Sequence, residues 1–392
     1  MRLRFLSCLF VISLCGLLAC TTRSTTAPTV ISSAAIYLAT QGNSSIQGYA
    51  ATLSSGVVNP VGNAVATGNM PFAIALTPSL NTLFLDNNAS DTVSAYTINS
   101  DSSLSAVSAA PTKTGSMPVG MAIDPAGKFL FVANEGSSNI SVYSINGTSL
   151  MEIAGSPFTT IPAGTTVATL PTAVVVSSSG NFLYVANNFT DTVGVFSIGS
   201  TGALTQKGFS PYTVGLAPSG LEIPPSGGFL YVANTGSNNV SAFAICDKVV
   251  TTCANPNSPD GTLTPVPGSP FSAGLGPVAI AADPSFSFLY VLDKQSSDIS
   301  EYSYAPGTGV LSPLSTPSVS TGLTPFSFVI IAGATGTNLG NTLTNPTDFV
   351  FVANNGASTV SAFTLNTSSG VLTPLGQPTT IAGSNPSAMA AN

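Results

Sequence analysis

Histidine and tryptophan are absent from these 392 residues, and charged side chains make up only 6% of them. The only arginines are Arg2, Arg4 and Arg23, and five lysines, at 113, 128, 207, 248 and 294, face fifteen acidic residues. Recognition of nucleic acid rests on Lys and Arg contacts to phosphate, so this charge pattern argues against it. A long helical protein would carry many Glu, Lys, Arg and Leu residues. Instead there are 37 glycines and 29 prolines, with Ser, Thr and Asn between short runs of Val, Ile, Phe and Tyr. That is the pattern of an all-β chain. No P-loop, nucleophile elbow, zinc motif or calcium loop is present, and no cofactor or metal is expected.

The first twenty residues read as an address. Arg2 and Arg4 precede an apolar run from Phe5 to Leu18, which closes on Leu17-Leu18-Ala19-Cys20. The run is short for a transmembrane span and has the form of a secretory signal. Its Leu-x-Ala-Cys ending resembles the bacterial lipobox, which implies lipidation of Cys20 and attachment to a membrane. Three segments follow: a signal peptide over 1–19, a polar tether over 20–33, and a folded domain over 34–392. Thr21 is not an acidic retention signal, so the expected location is the cell envelope, on the periplasmic or surface side, in the outer membrane of a Gram-negative host. Cys246 and Cys253 are then the only cysteines of the folded chain. Seven positions apart in an exported Thr/Asn/Pro-rich loop, they read as one disulfide, with metal binding the poorer alternative.

The folded chain is built from repeats. Phe-Leu-Tyr-Val-Ala-Asn occurs at 182–187 and 229–234, with relatives at 82–87, 129–134, 288–293 and 349–354 and a degenerate first copy at 35–40. The final residues of these hexapeptides fall at 40, 87, 134, 187, 234, 293 and 354. A second alternating run follows each, as in Ile140-Ser-Val-Tyr-Ser-Ile145, and a Pro-x-small-x-small run such as Pro118-Val-Gly-Met-Ala122 precedes all but the first. With a weak strand after a Gly-x-Leu turn, each module holds four strands, which is the make-up of a β-propeller blade. The seventh Pro-x-small run, Pro386-Ser-Ala-Met-Ala390, has no hexapeptide after it. It should pair with the N-terminal strands and close a seven-bladed ring. The hexapeptide asparagines read as turn formers.

The Tyr-Val-Ala-Asn and Gly-Ser-Asn-Asn-Val-Ser-Ala-Phe pattern (231–243) resembles YVTN-type surface-layer repeats. It is similar to the seven-bladed lactonase family typified by 6-phosphogluconolactonase, and the resemblance covers 34–392. It implies a ligand site around the central channel. Related propellers use histidine, arginine and acidic residues there, and neither of the first two is present in the domain. Glu222 stands out among the residues at the fifth position of the inner strands, where Ala75, Ala122, Val175, Ala281, Val329 and Ala390 are its equivalents. A buried carboxyl there would have a raised pKa and could act as a general acid or base. Otherwise it reaches channel water or a backbone donor. Two functions remain: a non-catalytic scaffold binding a small molecule, a glycan or an envelope protein, or a divergent lactonase-like hydrolase that uses Glu222.

Overall fold

Each hexapeptide forms the second strand of an antiparallel sheet, and seven such sheets stand around one axis in the computed structural model. The structure describes residues 33–391 apart from 108–109, 250–252, 254–256, 285–286, 334–336, 339–340, 343–346 and 382. Cys20 and its tether lie outside the described residues. Blades 1 to 7 are numbered here by their inner strands: Pro71–Leu76, Pro118–Ile123, Pro171–Val176, Pro218–Glu222, Pro277–Ala282, Pro325–Ile331 and Pro386–Ala391. The seven-bladed all-β architecture expected from the repeats is the one observed.

The hexapeptides lack polar alternation because each second strand is covered on both sides by neighbouring blades. Leu130, Phe131, Val132 and Ala133 are all fully buried. Tyrosines in this strand reach the next blade: Tyr231 Oη donates to Gly309 O at 2.8 Å and Tyr290 Oη to Gly370 O at 2.6 Å. Gly309 has φ +72°, and a Cβ there would lie 2.3 Å from Cδ1 of Phe229. Both the turn and the blade contact therefore require glycine. Small residues at the third inner-strand position have a similar cause. A Cβ on Gly120 would sit 2.8 Å from Thr172 O, and one on Gly220 2.9 Å from Val278 O.

The C-terminal strand closes the ring. Pro386–Ala391 pairs with Ser33–Thr40, Ala391 lying opposite Ile36. It is tied sideways as well: Ser387 Oγ donates to Pro71 O at 2.6 Å, and Met389 N donates to Ser327 Oγ at 3.1 Å.

Two features differ from the sequence expectation. The hexapeptide asparagines do not form the turns: Asn87 is extended (φ −120°, ψ 94°). The left-handed residue comes four positions later, as Asp91 (φ 53°), Ser138 (φ 49°) or Asp191 (φ 54°). The asparagines are buried ties, Asn134 Nδ2 donating to Asn139 Oδ1 at 2.8 Å and to Ser141 Oγ at 2.9 Å. The outer strand is also broken in five blades, where two short pieces pair with the same third strand. In blades 2, 3 and 4 the gap is bridged by a serine, Oγ of Ser156, Ser210 and Ser269 accepting from Val142 N, Val195 N and Ala242 N.

Candidate functional site: the mouth of the central channel

The 2–3 and 4–1 connections lie on one face of the ring, where the inner strands begin. The channel opens there into a cavity of about 500 Å³ to which all seven inner strands contribute. Its walls are the second to fourth residues of those strands, so the repeat itself builds the site.

The second positions alternate in character around the mouth. Thr172, Ser219 and Ser387 carry hydroxyls, but each donates to a proline carbonyl of the next blade: Thr172 Oγ1 to Pro218 O at 2.8 Å, Ser219 Oγ to Pro277 O at 3.1 Å, and Ser387 Oγ to Pro71 O. In four blades the first residue of the 2–3 loop makes the same clasp. Asn88 Nδ2 donates to Pro118 O at 3.1 Å, Asn188 Nδ2 to Pro218 O at 3.2 Å, Asn355 Nδ2 to Pro386 O at 3.1 Å, and Thr235 Oγ1 to Pro277 O at 2.6 Å. In blades 2, 5 and 7 that loop position holds Glu135, Lys294 and Gln41 instead. An ionised carboxylate has no proton to donate, so Glu135 cannot make the clasp.

Glu135 is the only ionisable residue among those lining the cavity. It is half-buried, and desolvation raises its carboxyl pKa above the usual range. Lys294 lies outside the lining, with its ammonium 4.6 Å from the ring centre of Phe326 in a cation–π contact. Phe326 meets Phe72 edge-to-face, with ring centres 5.1 Å apart, and the two come from the blades that flank Ser387. Phe72 has unusual support. Its N–H and that of Ala73 leave the sheet ladder and donate to buried Asp86 Oδ1 at 3.1 and 2.6 Å. Burial pushes the Asp86 carboxyl up to about 8, against the pull of those two bonds.

Glu222 is elsewhere. It ends the inner strand of blade 4, away from the mouth, and is not among the cavity lining. Its Oε1 accepts from Ala282 N of blade 5 at 3.3 Å, so the side chain faces the neighbouring blade. Part of it remains accessible, yet its depth within the ring dominates, and burial pushes its pKa up to about 7. The backbone donor weighed for it in the sequence is present, and Glu135 is not beside it. Cys246 and Cys253 are joined in a disulfide (Cα–Cα 4.6 Å) in the 3–4 connection of blade 4, on the face opposite the mouth. Sequence reasoning missed Glu135 and Lys294 because it stopped at the hexapeptide. One position further, the series Asn88, Asn188, Thr235, Asn355 already marks them as departures from a repeated polar residue.

A profile of the family described as lactonase, 7-bladed β-propeller, matches residues 73–153 and 100–249. A search of curated protein sequences finds no match. Among solved structures, the chain is similar to the periplasmic gluconolactonase of Pseudomonas aeruginosa, at 20% identity and a TM-score of 0.73, over 92% of this chain and 99% of that one. It is similar also to a candidate 6-phosphogluconolactonase of Bacteroides fragilis, at 18% identity and a TM-score of 0.74, over 94% and 99%. A third neighbour, from Lactobacillus plantarum, has 18% identity and a TM-score of 0.72, over 92% and 99%. At such identities the likeness speaks for the fold: this chain is a seven-bladed β-propeller, and over 73–249 it is similar to the lactonase propeller family.

Proposed function

We propose that this chain is a hydrolase of an uncharged lactone, acting at the channel mouth, in a protein exported and held at the cell envelope through lipid on Cys20. One observation carries the proposal: the cavity made by all seven inner strands contains a single ionisable side chain, the Glu135 carboxylate. A raised pKa makes that carboxylate a stronger base. Glu135 takes a proton from water, and the hydroxide oxygen bonds to the lactone carbonyl carbon. The negative charge passes to the carbonyl oxygen, giving a tetrahedral oxyanion. The ring C–O bond then breaks and the departing alkoxide takes the proton back from Glu135, giving a hydroxy acid. The gluconolactonase of the P. aeruginosa neighbour is the kind of activity this arrangement fits. A phosphorylated lactone is disfavoured, because no cation lines the cavity to pair with phosphate.

The test is hydrolysis of glucono-1,5-lactone by the soluble domain, corrected for spontaneous opening. Turnover well above the blank is expected, with kcat/KM reduced about 100-fold or more in Glu135→Gln. Turnover equal to the blank, or undiminished in the variant, sinks the proposal. A second reading, a binding scaffold without catalysis, is favoured by the commitment of the mouth hydroxyls to backbone carbonyls, which leaves no preformed pair of oxyanion donors. It would show as saturable binding of the lactone without turnover.

A further inference from the structure

We infer that the ligand of this mouth is a lactone bearing an apolar chain, its ring over Glu135 and its chain lying on the rim; the inference rests on the hydrolase reading for the lactone ring. The rim is apolar. Met70, Met117, Leu216, Leu275 and Leu323 stand 44–67% exposed, one or two residues before the inner strands of five blades. They stand on the mouth face, outside the residues that line the cavity, as does 63%-exposed Phe189 of a 2–3 loop. An exposed apolar patch bordering a pocket is the mark of an apolar ligand or partner.

The residue before each inner-strand proline is left-handed in all seven blades, and in blades 1 and 2 it is Met70 (φ 52°) and Met117 (φ 54°). Asp91 Oδ1 accepts from Met117 N at 2.8 Å and holds it there. At the equivalent place blade 5 has Gly276 (φ 67°) and puts its leucine one residue earlier, as Leu275. The same turn holds Ala217, Thr324 and Asn385 in blades 4, 6 and 7, so the choice of side chain, and not the backbone, makes the rim apolar.

Charge disfavours an anionic ligand. An anionic substituent would meet Glu135 with no cation in the lining. The protons of Thr172, Ser219 and Ser387 are already donated to proline carbonyls, so these hydroxyls offer a ligand acceptors but no free protons. What the mouth offers beyond the carboxylate is the Phe72–Phe326 pair and the walls Val119 and Val278, leading out to the rim. An alkyl chain fits that surface.

The experiment uses γ-butyrolactones with straight alkyl chains of zero to eight carbons, measuring affinity by calorimetry and hydrolysis separately. Affinity should rise roughly two- to four-fold per methylene, as burial of a CH₂ predicts. The increment should collapse towards one-fold in Leu275→Ser/Leu323→Ser, and persist in Val57→Ser/Leu80→Ser on the far face. A flat series in the parent protein, or a series unchanged by the rim substitutions, overturns the inference while leaving hydrolysis of the plain lactone untouched. A steep, rim-dependent series without turnover would uphold the chain-binding rim and overturn the hydrolase reading alone.

Discussion

The two ends of the channel are built from the same strands but differ in almost everything the repeat does not dictate. At the mouth, four of the seven 2–3 loops begin with a residue clasped to the next blade, and two of the three departures are charges, Glu135 and Lys294. At the far end the loops vary: the disulfide-bearing connection of blade 4 and the long 1–2 connection of blade 6 both lie there. Buried carboxyls gather on that side, with Glu301 and Glu222 both pushed up to about 7 by burial. Variation in loop length therefore marks one face, while variation in chemistry at a fixed position marks the other. The second kind is the better guide to a site, because the ring gives each such residue a defined place relative to the cavity.

The largest effect that could break this comparison is on the ring itself. Removing Pro386–Asn392 leaves Ser33–Thr40 with an open edge and takes Ser387 and Met389 from both neighbouring blades. Both ends of the channel should be lost together, with the melting temperature lowered by ~10 °C or more, or no folded protein recovered. A truncated domain melting within a degree or two of the parent would show that the seventh blade is dispensable. A finer division comes from pairing Glu135→Gln with Glu222→Gln. Lactone turnover should fall about 100-fold in the first and change less than about two-fold in the second. The reverse result would move the chemistry to the far end.

Stability against pH separates the ends less sharply. Asp86 behind the mouth is raised to about 8, while Asp293, Glu222 and Glu301 are raised to about 7. The folded state thus holds protons that the unfolded state releases near pH 4, so stability falls as pH climbs from about 4 to about 8 and levels above. The melting temperature should be roughly 5 °C higher at pH 5 than at pH 8. Asp86→Asn should flatten that slope more than Glu222→Gln does, and a profile rising with pH would contradict the assignment. The smallest effect concerns the far face. Replacing Cys246 and Cys253 by serine should lower the melting temperature by about 2 °C or less, since a bridge over so short a loop ties no blade to another. A larger drop would mean that this loop supports the ring.

The fold was legible because a blade's second strand is buried on both sides and leaves an apolar hexapeptide seven times over. Closure was legible from Pro386-Ser-Ala-Met-Ala390 having no partner downstream. Glu222 drew attention as a charge among alanines, but its strand position points at blade 5, which periodicity without register does not show. Asn87 and its equivalents looked like turn residues because a strand end and a loop start share a composition. Their amides proved to be spent across strands. Glu135 was hidden for a different reason. Nothing about a glutamate after Asn134 is unusual until Asn88 and Asn188 are seen to bond the next blade.

Closure by the last strand also sets the order of events when the chain is made. Ile36 emerges long before Ala391, yet they are opposite one another in a single sheet. Every blade between can assemble as it appears, from neighbours close in sequence. The first three strands must wait, one flank unsatisfied, until Pro386–Ala391 has emerged. Contacts this distant along the chain are slow to form. The nascent protein therefore passes through a stage with six complete sheets and one gap. In that stage it is most exposed to proteases and to other copies of itself.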